Sequence, residues 1–121
     1  MQASWDRCRA WIVAALETCP THGIEDVEAG IKSGKFQCWA GPNCVSVTEV
    51  CEYPKLKALH HWLSGGDLRE LIEQGKELEA WAKARGCTLM FGTSKDRPAF
   101  RRVMERQGYS VGQLEYFKDL T

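Results

Sequence analysis

The chain has 121 residues, 44% of them hydrophobic, a length that suits one compact domain around one core, so no second domain is expected. Sixteen basic residues balance sixteen acidic ones, so the protein as a whole lacks the electrostatic footprint of a nucleic-acid binder. The longest apolar run near the start, Trp11 to Leu16, is far too short to cross a bilayer, and membrane insertion is set aside.

Apolar residues at Trp5, Cys8, Ile12, Ala15 and Cys19 follow helical spacing, and Cys19-Pro20 ahead of His22-Gly23 supplies a stop. A second, short helix opens near Ile24, where Glu25 and Asp26 favour the positive end of the helix dipole, and it ends at Ser33-Gly34. Phe36 to Ala40 and Cys44 to Glu52 are rich in β-branched, aromatic and cysteine residues around Gly41-Pro42-Asn43, which spells a hairpin. After Tyr53-Pro54-Lys55 a third strand is expected from about Leu56 to Ser64. Strict alternation puts Leu56, Ala58, His60 and Trp62 on one face and Lys57, Leu59, His61 and Leu63 on the other. Both sets are partly apolar, as in a central strand covered on two sides.

From Asp67 to Arg85, the residues Leu68, Leu71, Ile72, Leu78, Trp81 and Ala82 make a helical stripe that Gly86 terminates. Cys87 to Gly92 follows as a short buried strand, parallel to the third because the helix between them is long enough for a crossover. The last helix opens near Asp96, with Pro98 in its first turn, buries Phe100, Val103 and Met104, and closes at Gly108. Tyr109 to Lys118 then supplies a fifth strand. The sum is an α/β mixed sheet: an antiparallel meander, a βαβ crossover and a terminal helix-strand unit, with helices on both faces and no repeat, linker or low-complexity tract.

Six cysteines (Cys8, Cys19, Cys38, Cys44, Cys51 and Cys87) have irregular spacings and no CxxC pair, which reads as reduced, mostly buried thiols of a cytoplasmic protein. Cys38, Cys44 and Cys51 fall on separate strand positions rather than on the tight turns that structural zinc uses, so no metal site is expected. Charge balance fails in one segment, Lys83 to Arg106, where seven basic residues accompany only Asp96 and Glu105. A solvated helix face explains this better than a phosphate-facing patch. Nucleic-acid binding through Arg97, Arg101, Arg102 and Arg106 ranks last, since neither an aromatic platform nor a known motif accompanies them.

Between Ala58 and Tyr109, the segments Glu-Ala-Trp-Ala-Lys-Ala-Arg-Gly-Cys87, Thr-Leu-Met-Phe and Arg-Pro-Ala-Phe-Arg-Arg-Val-Met-Glu-Arg-Gln-Gly-Tyr109 follow one another as helix, strand and helix. This order resembles the second half of the GNAT superfamily of N-acetyltransferases, and the resemblance spans Phe36 to Phe117. It implies a third strand that splays from the fourth, with acyl-coenzyme A in the gap and its pyrophosphate on a Gly-rich loop and the next helix N-terminus. Carried over, the cofactor segment is Trp62, Leu63, Ser64, Gly65 and Gly66 together with Arg69, and the cofactor is acetyl-coenzyme A.

The family's loop motif is Arg or Gln, two residues, Gly, one residue, Gly or Ala. It falls on Gly66, Asp67, Leu68, Arg69, Glu70 and Leu71, so the loop is degenerate. Asp67 and Glu70 make a capping pair that takes amides an anion would use, and Gly65-Gly66 and Arg69 are the compensations. The tyrosine that the family often places four residues before the Gly-aromatic pair is Met104 here, which has no proton to give a leaving thiolate.

The general base of such a reaction is sought among His61, Glu49 and Glu52, with His60 beside them. Adjacent strand residues face opposite sides, so only one of the two histidines can serve, and His61 is preferred. Two functional readings follow. One is an acyl-coenzyme A dependent N-acyltransferase, moving an acetyl group by direct attack of an unidentified small-molecule or protein amine. The other is a non-catalytic protein with a protein partner, similar to compact GNAT-like proteins of phage and prophage, and then virion-associated.

Overall fold

A computed structural model describes residues 2–95 and 97–121. In chain order they form α1 (Gln2–Leu16), α2 (Ile24–Ser33), β1 (Phe36–Ala40), β2 (Cys44–Glu52), β3 (Lys57–Gly66), α3 (Leu68–Ala84), β4 (Leu89–Gly92) and α4 (Pro98–Arg106). The strands lie side by side as β1-β2-β3-β4.

Tight local turns build the meander. The Gly41 amide donates to the Cys44 carbonyl at 2.9 Å and aligns β1 with β2 antiparallel, from Phe36 opposite Glu49 to Ala40 opposite Val45. The Tyr53 amide donates to the Leu56 carbonyl at 2.8 Å and returns the chain as β3, paired with β2 from Glu52 opposite Lys57 to Cys44 opposite Gly66. α3 then crosses over, and β4 comes back parallel to β3, as a crossover of this length requires.

A separate core forms on each face. On one, Cys8, Ile12, Leu16 and Val27 from α1 and α2 bury themselves against Phe36, Val45, Val47 and Leu63. On the other, Leu78 and Ala82 of α3 meet Leu59 and Cys87, with Trp39, Val50, Trp81 and Met90 around them. Each fully buried aliphatic side chain stabilises the fold by about 1.5–3 kcal/mol. Polar bonds fix where α3 sits: Ser46 donates to the Gln74 amide oxygen at 2.7 Å, and the Gln74 amide nitrogen donates to the Trp39 carbonyl at 3.1 Å. Beside them buried Thr48 donates to Gln37 at 2.9 Å and accepts from the Trp39 indole at 3.0 Å, so no buried hydroxyl there lacks a partner.

Three expectations need correction. First, β3 does not alternate strictly: the pairing with β2 jumps from Val47 opposite Leu63 to Thr48 opposite His61, leaving Trp62 as an extra residue. This β-bulge puts Trp62 and Leu63 on the same side, both in the α1/α2 core, and moves Leu63 off the face it was assigned. Second, Tyr109 to Lys118 is not a strand. After Gly108, which turns the chain at φ +91°, the tail joins no strand among the described residues, and Val111, Leu114, Tyr116, Phe117 and Leu120 are exposed. The sheet therefore has four strands. Third, Phe100, Val103 and Met104 of α4 are only half-buried, because α4 lies at the margin of the sheet. Its expected opening at Asp96 lies outside the described residues.

Gly66 and Gly75 give the fold a matched test. Gly66 sits at φ +99°, and a Cβ there would run into the Asn43 carbonyl, whereas Gly75 lies inside α3 with open space around its missing side chain. Gly66→Ala should cost about 2 kcal/mol or more, since a non-glycine residue at positive φ is strained before any clash is counted. Gly75→Ala should add about 0.5–1 kcal/mol. Urea denaturation of both variants checks the signs, and equal shifts would mean that the turn at Gly66 is not as described.

Candidate active site

β3 changes character along its length. From Ala58 to His61 it has β2 on one side and β4 on the other, ending with His61 opposite Gly92. From Trp62 to Gly66 the β2 ladder continues but β4 has gone, so one edge of the strand has no strand partner among the described residues for about 16 Å. The bulge at Trp62 falls at this divergence, where an added bend opens the two parallel strands. The gap that results is bounded by the free edge of β3 and by the end of β4 at Gly92, with the first turn of α3 following Gly66 at its other end.

The first turn of α3 is held in an unexpected way. Asp67 caps the helix by accepting the Glu70 amide at 3.0 Å, as the sequence suggests. Glu70 does not return the bond. Its carboxylate reaches across to the hairpin and accepts the Asn43 amide at 2.9 Å, while the Asp67 amide donates to the Asn43 carbonyl at 2.8 Å. Arg7 of α1 donates to the Pro42 carbonyl at 2.7 Å, so Arg7, Asp67 and Glu70 together clamp the Gly41–Asn43 turn. Beside it, burial and the nearby Glu70 carboxylate push the Cys44 thiol up to about 11. The amides of Leu68 and Arg69 have no acceptor among the described residues and remain open to a ligand.

The proposed cofactor segment divides in two. The Trp62 ring packs inward, 5.0 Å from Phe36 and 4.7 Å from His22 between ring centres, and Leu63 is buried beside it. For these two residues only the backbone borders the gap. Ser64 is exposed and lies opposite Ser46 on the α3 face. Neither glycine leaves room for a ligand on the strand face: a Cβ on Gly65 would come within 2.6 Å of the Trp11 side chain, and Gly66 accommodates the Asn43 carbonyl. Arg69 is exposed on the first turn of α3.

The acid-base candidates do not converge. His61 lies opposite Thr48 and shares the α3 face with it; its Nε2 is buried and has no partner among the described residues. Burial, then the neighbouring His60, pushes its pKa down to about 4. His60 points the other way, opposite Glu49. It stacks flat on Phe91 at 4.4 Å and its Nε2 lies 3.1 Å from the Thr93 hydroxyl. Burial lowers its pKa too, against the opposing pull of Glu49. Glu52 belongs to neither group: exposed at the far end of the ladder beside Lys57, at 3.8 Å, it sits about 13 Å along the sheet from the level of His61.

Among the described residues no group of His, Cys, Asp or Glu is arranged to hold a metal ion, and all six cysteines are free thiols. No helix is long and apolar enough to cross a membrane. Two surface concavities, about 530 Å³ beside α2 and about 400 Å³ between α3 and the turn after α4, lie away from the gap.

No family profile and no curated protein sequence matches the chain. Solved structures do match in shape. An acetyltransferase of Trypanosoma brucei superposes with a TM-score of 0.70 at 10% identity, covering 99% of this chain and 95% of the other. An aminoglycoside acetyltransferase from an uncultured soil metagenomic sample, in complex with sisomicin, gives 0.70 at 8% identity over 98% and 90%. The chain has the GNAT acetyltransferase fold. A third GNAT-fold neighbour, an aminoglycoside N-acetyltransferase in complex with coenzyme A, matches with a TM-score of 0.66 at 12% identity over 99% and 91%.

The sequence did not disclose the roles of Asn43, Thr93 and Phe91. Each acts on residues far away in the chain, and no local pattern marks such a contact.

The low pKa of His61 ties stability to pH. Between about 4 and the ordinary 6.5 the unfolded chain binds a proton that the folded chain refuses. The contribution is therefore fully present above 6.5 and lost as pH falls towards 4, at most about 3 kcal/mol. Denaturation midpoints across this window should slope upward with pH, and less steeply in His61→Gln. Parallel slopes would place His61 in a solvated setting instead.

Proposed function

We propose that the chain is an N-acyltransferase that takes an acetyl group from a pantetheine thioester, of which acetyl-coenzyme A is the simplest, and gives it directly to an amine. The observation that supports this reading is the divided β3, paired on both sides up to His61 and bare from Trp62 onward beside a helix N-terminus with two free amides. A neighbour of the same fold holds coenzyme A, which adds to that support.

In this reading the backbone from Trp62 to Gly65 hydrogen-bonds the extended amide-bearing arm of the donor, much as an added strand would. The Leu68 and Arg69 amides and the Arg69 guanidinium receive a phosphate. The amine nitrogen attacks the thioester carbon, a C–N bond forms, the C–S bond breaks, and the thiolate leaves. Holding the two reactants at the bulge supplies most of the acceleration. His61 is neutral throughout the physiological range and takes the proton that the attacking nitrogen sheds. Glu49, on the opposite face beside His60, is the alternative, whereas the position of Glu52 offers it no part.

The carboxylates of Asp67 and Glu70 favour a second reading, a non-catalytic protein that keeps this fold and binds a partner. Thiol release from acetyl-coenzyme A with a panel of primary amines, aminoglycosides included, separates the two. Release above buffer is expected, with kcat/KM lowered by about 100-fold or more in His61→Gln. Release no faster than buffer for every amine would sink the enzymatic reading. A loss confined to His60→Gln would transfer the proton to the Glu49 and His60 pair.

A further inference from the structure

We infer that the acyl donor reaches this gap on an acidic carrier protein, with its phosphopantetheine arm in the gap and the carrier seated on α4, rather than as free coenzyme A. The inference rests on the acyltransferase reading above and names its donor.

The first argument concerns how much phosphate the gap can accept. Coenzyme A brings a pyrophosphate and a ribose phosphate, while an arm tethered to a protein serine brings a single phosphodiester. At the first turn of α3 the Glu70 amide is already taken by Asp67, and the Asp67 amide by Asn43. Two amides and Arg69 remain, which suits one phosphodiester. The backbone cannot wrap a longer anion here, because Trp11 and the Asn43 carbonyl occupy the space beside Gly65 and Gly66. The Asp67 and Glu70 carboxylates would repel a pyrophosphate more strongly than a phosphodiester.

The second argument is independent and lies on α4. Phe100, Val103 and Met104 turn its apolar side inward, and the opposite side shows Arg102 and Arg106, one helical turn apart, with one acid, Glu105, among them and with Arg97 and Lys95 leading into the helix. All four basic residues are exposed, and none forms an ion pair among the described residues. In a chain of zero net charge this concentrates positive potential on one side. The chain sets out towards α4 from the strand end where β4 leaves β3, and there Thr93 meets His60 through its hydroxyl.

Such a face suits the acidic helical surface of an acyl carrier, where complementary charge sets register and speeds encounter. It does not suit a nucleic acid, because Phe100 is turned inward and leaves no stacking platform beside the arginines. After transfer the carrier leaves with a free thiol: its C–S bond is broken, and the proton that His61 took from the amine passes on to the thiolate.

The test titrates the full chain with an acetylated acyl carrier protein, the same carrier lacking its arm, and acetyl-coenzyme A, at low and high salt. The acetylated carrier should bind at least about tenfold more tightly than acetyl-coenzyme A, and its affinity should fall as salt rises. Reversing Arg102→Glu and Arg106→Glu together should shift the ratio of the two affinities by about tenfold or more towards acetyl-coenzyme A, with an unaltered melting temperature showing that α4 still folds. Binding of acetyl-coenzyme A as tight as that of the carrier, an unchanged ratio in the variant, or equal binding of the armless carrier would overturn the inference and leave acyl transfer standing. Failure of both donors to release thiol would overturn the acyltransferase reading with it.

Discussion

Everything distinctive about this molecule depends on β3 having to be an interior strand and an edge strand at once. One extra residue, Trp62, reconciles the two demands. Before it, side chains alternate between the two cores and β4 completes the ladder; after it, the strand is bent, two successive side chains enter the same core, and the far edge is left to water. An unpaired edge in water costs little, because solvent satisfies its amides and carbonyls. What the free segment needs is something to keep it straight without a second neighbour. β2 supplies this along one edge, Trp11 closes over Gly65 from above, and the Asn43 clamp fixes the end.

The clamp shows how local and distant chemistry are combined. Asp67 and Glu70 have the spacing of a reciprocal cap, and half of it forms. The other half is surrendered to a turn 27 residues away, so a side chain that might have competed with a ligand for helix amides holds the hairpin instead. The net effect is a helix N-terminus left partly open, next to two fixed negative charges.

Element order, the hairpin, the parallel crossover and the glycine stops at Gly34, Gly86 and Gly108 were all legible in the sequence, because each depends on neighbours in the chain. The bulge was not. The segment from Leu56 to Ser64 is apolar on both faces, so a slip of one residue leaves no polar residue visibly misplaced. The tail after Gly108 has aromatic and branched residues suited to a strand, but a strand exists only where a partner offers hydrogen bonds, and composition cannot show that. The site was legible to the same degree. Opposite orientation of His60 and His61 follows from the strand period alone, whereas their different burial depends on where α3 and β4 happen to cover the sheet.

The gap also has walls of unequal firmness. The β2 side belongs to a nine-residue strand whose residues Cys44 to Thr48 are fully buried, while the β4 side rests on four paired residues and a helix with no fully buried side chain. Local opening follows the weaker set of contacts, so β4 and α4 are the elements expected to open at a free energy below that of global unfolding. The cleft can therefore widen by loosening one wall while the meander keeps its register. A domain this small can gain room beside β3 without any hinge between domains, at the expense of the least stable part of the fold.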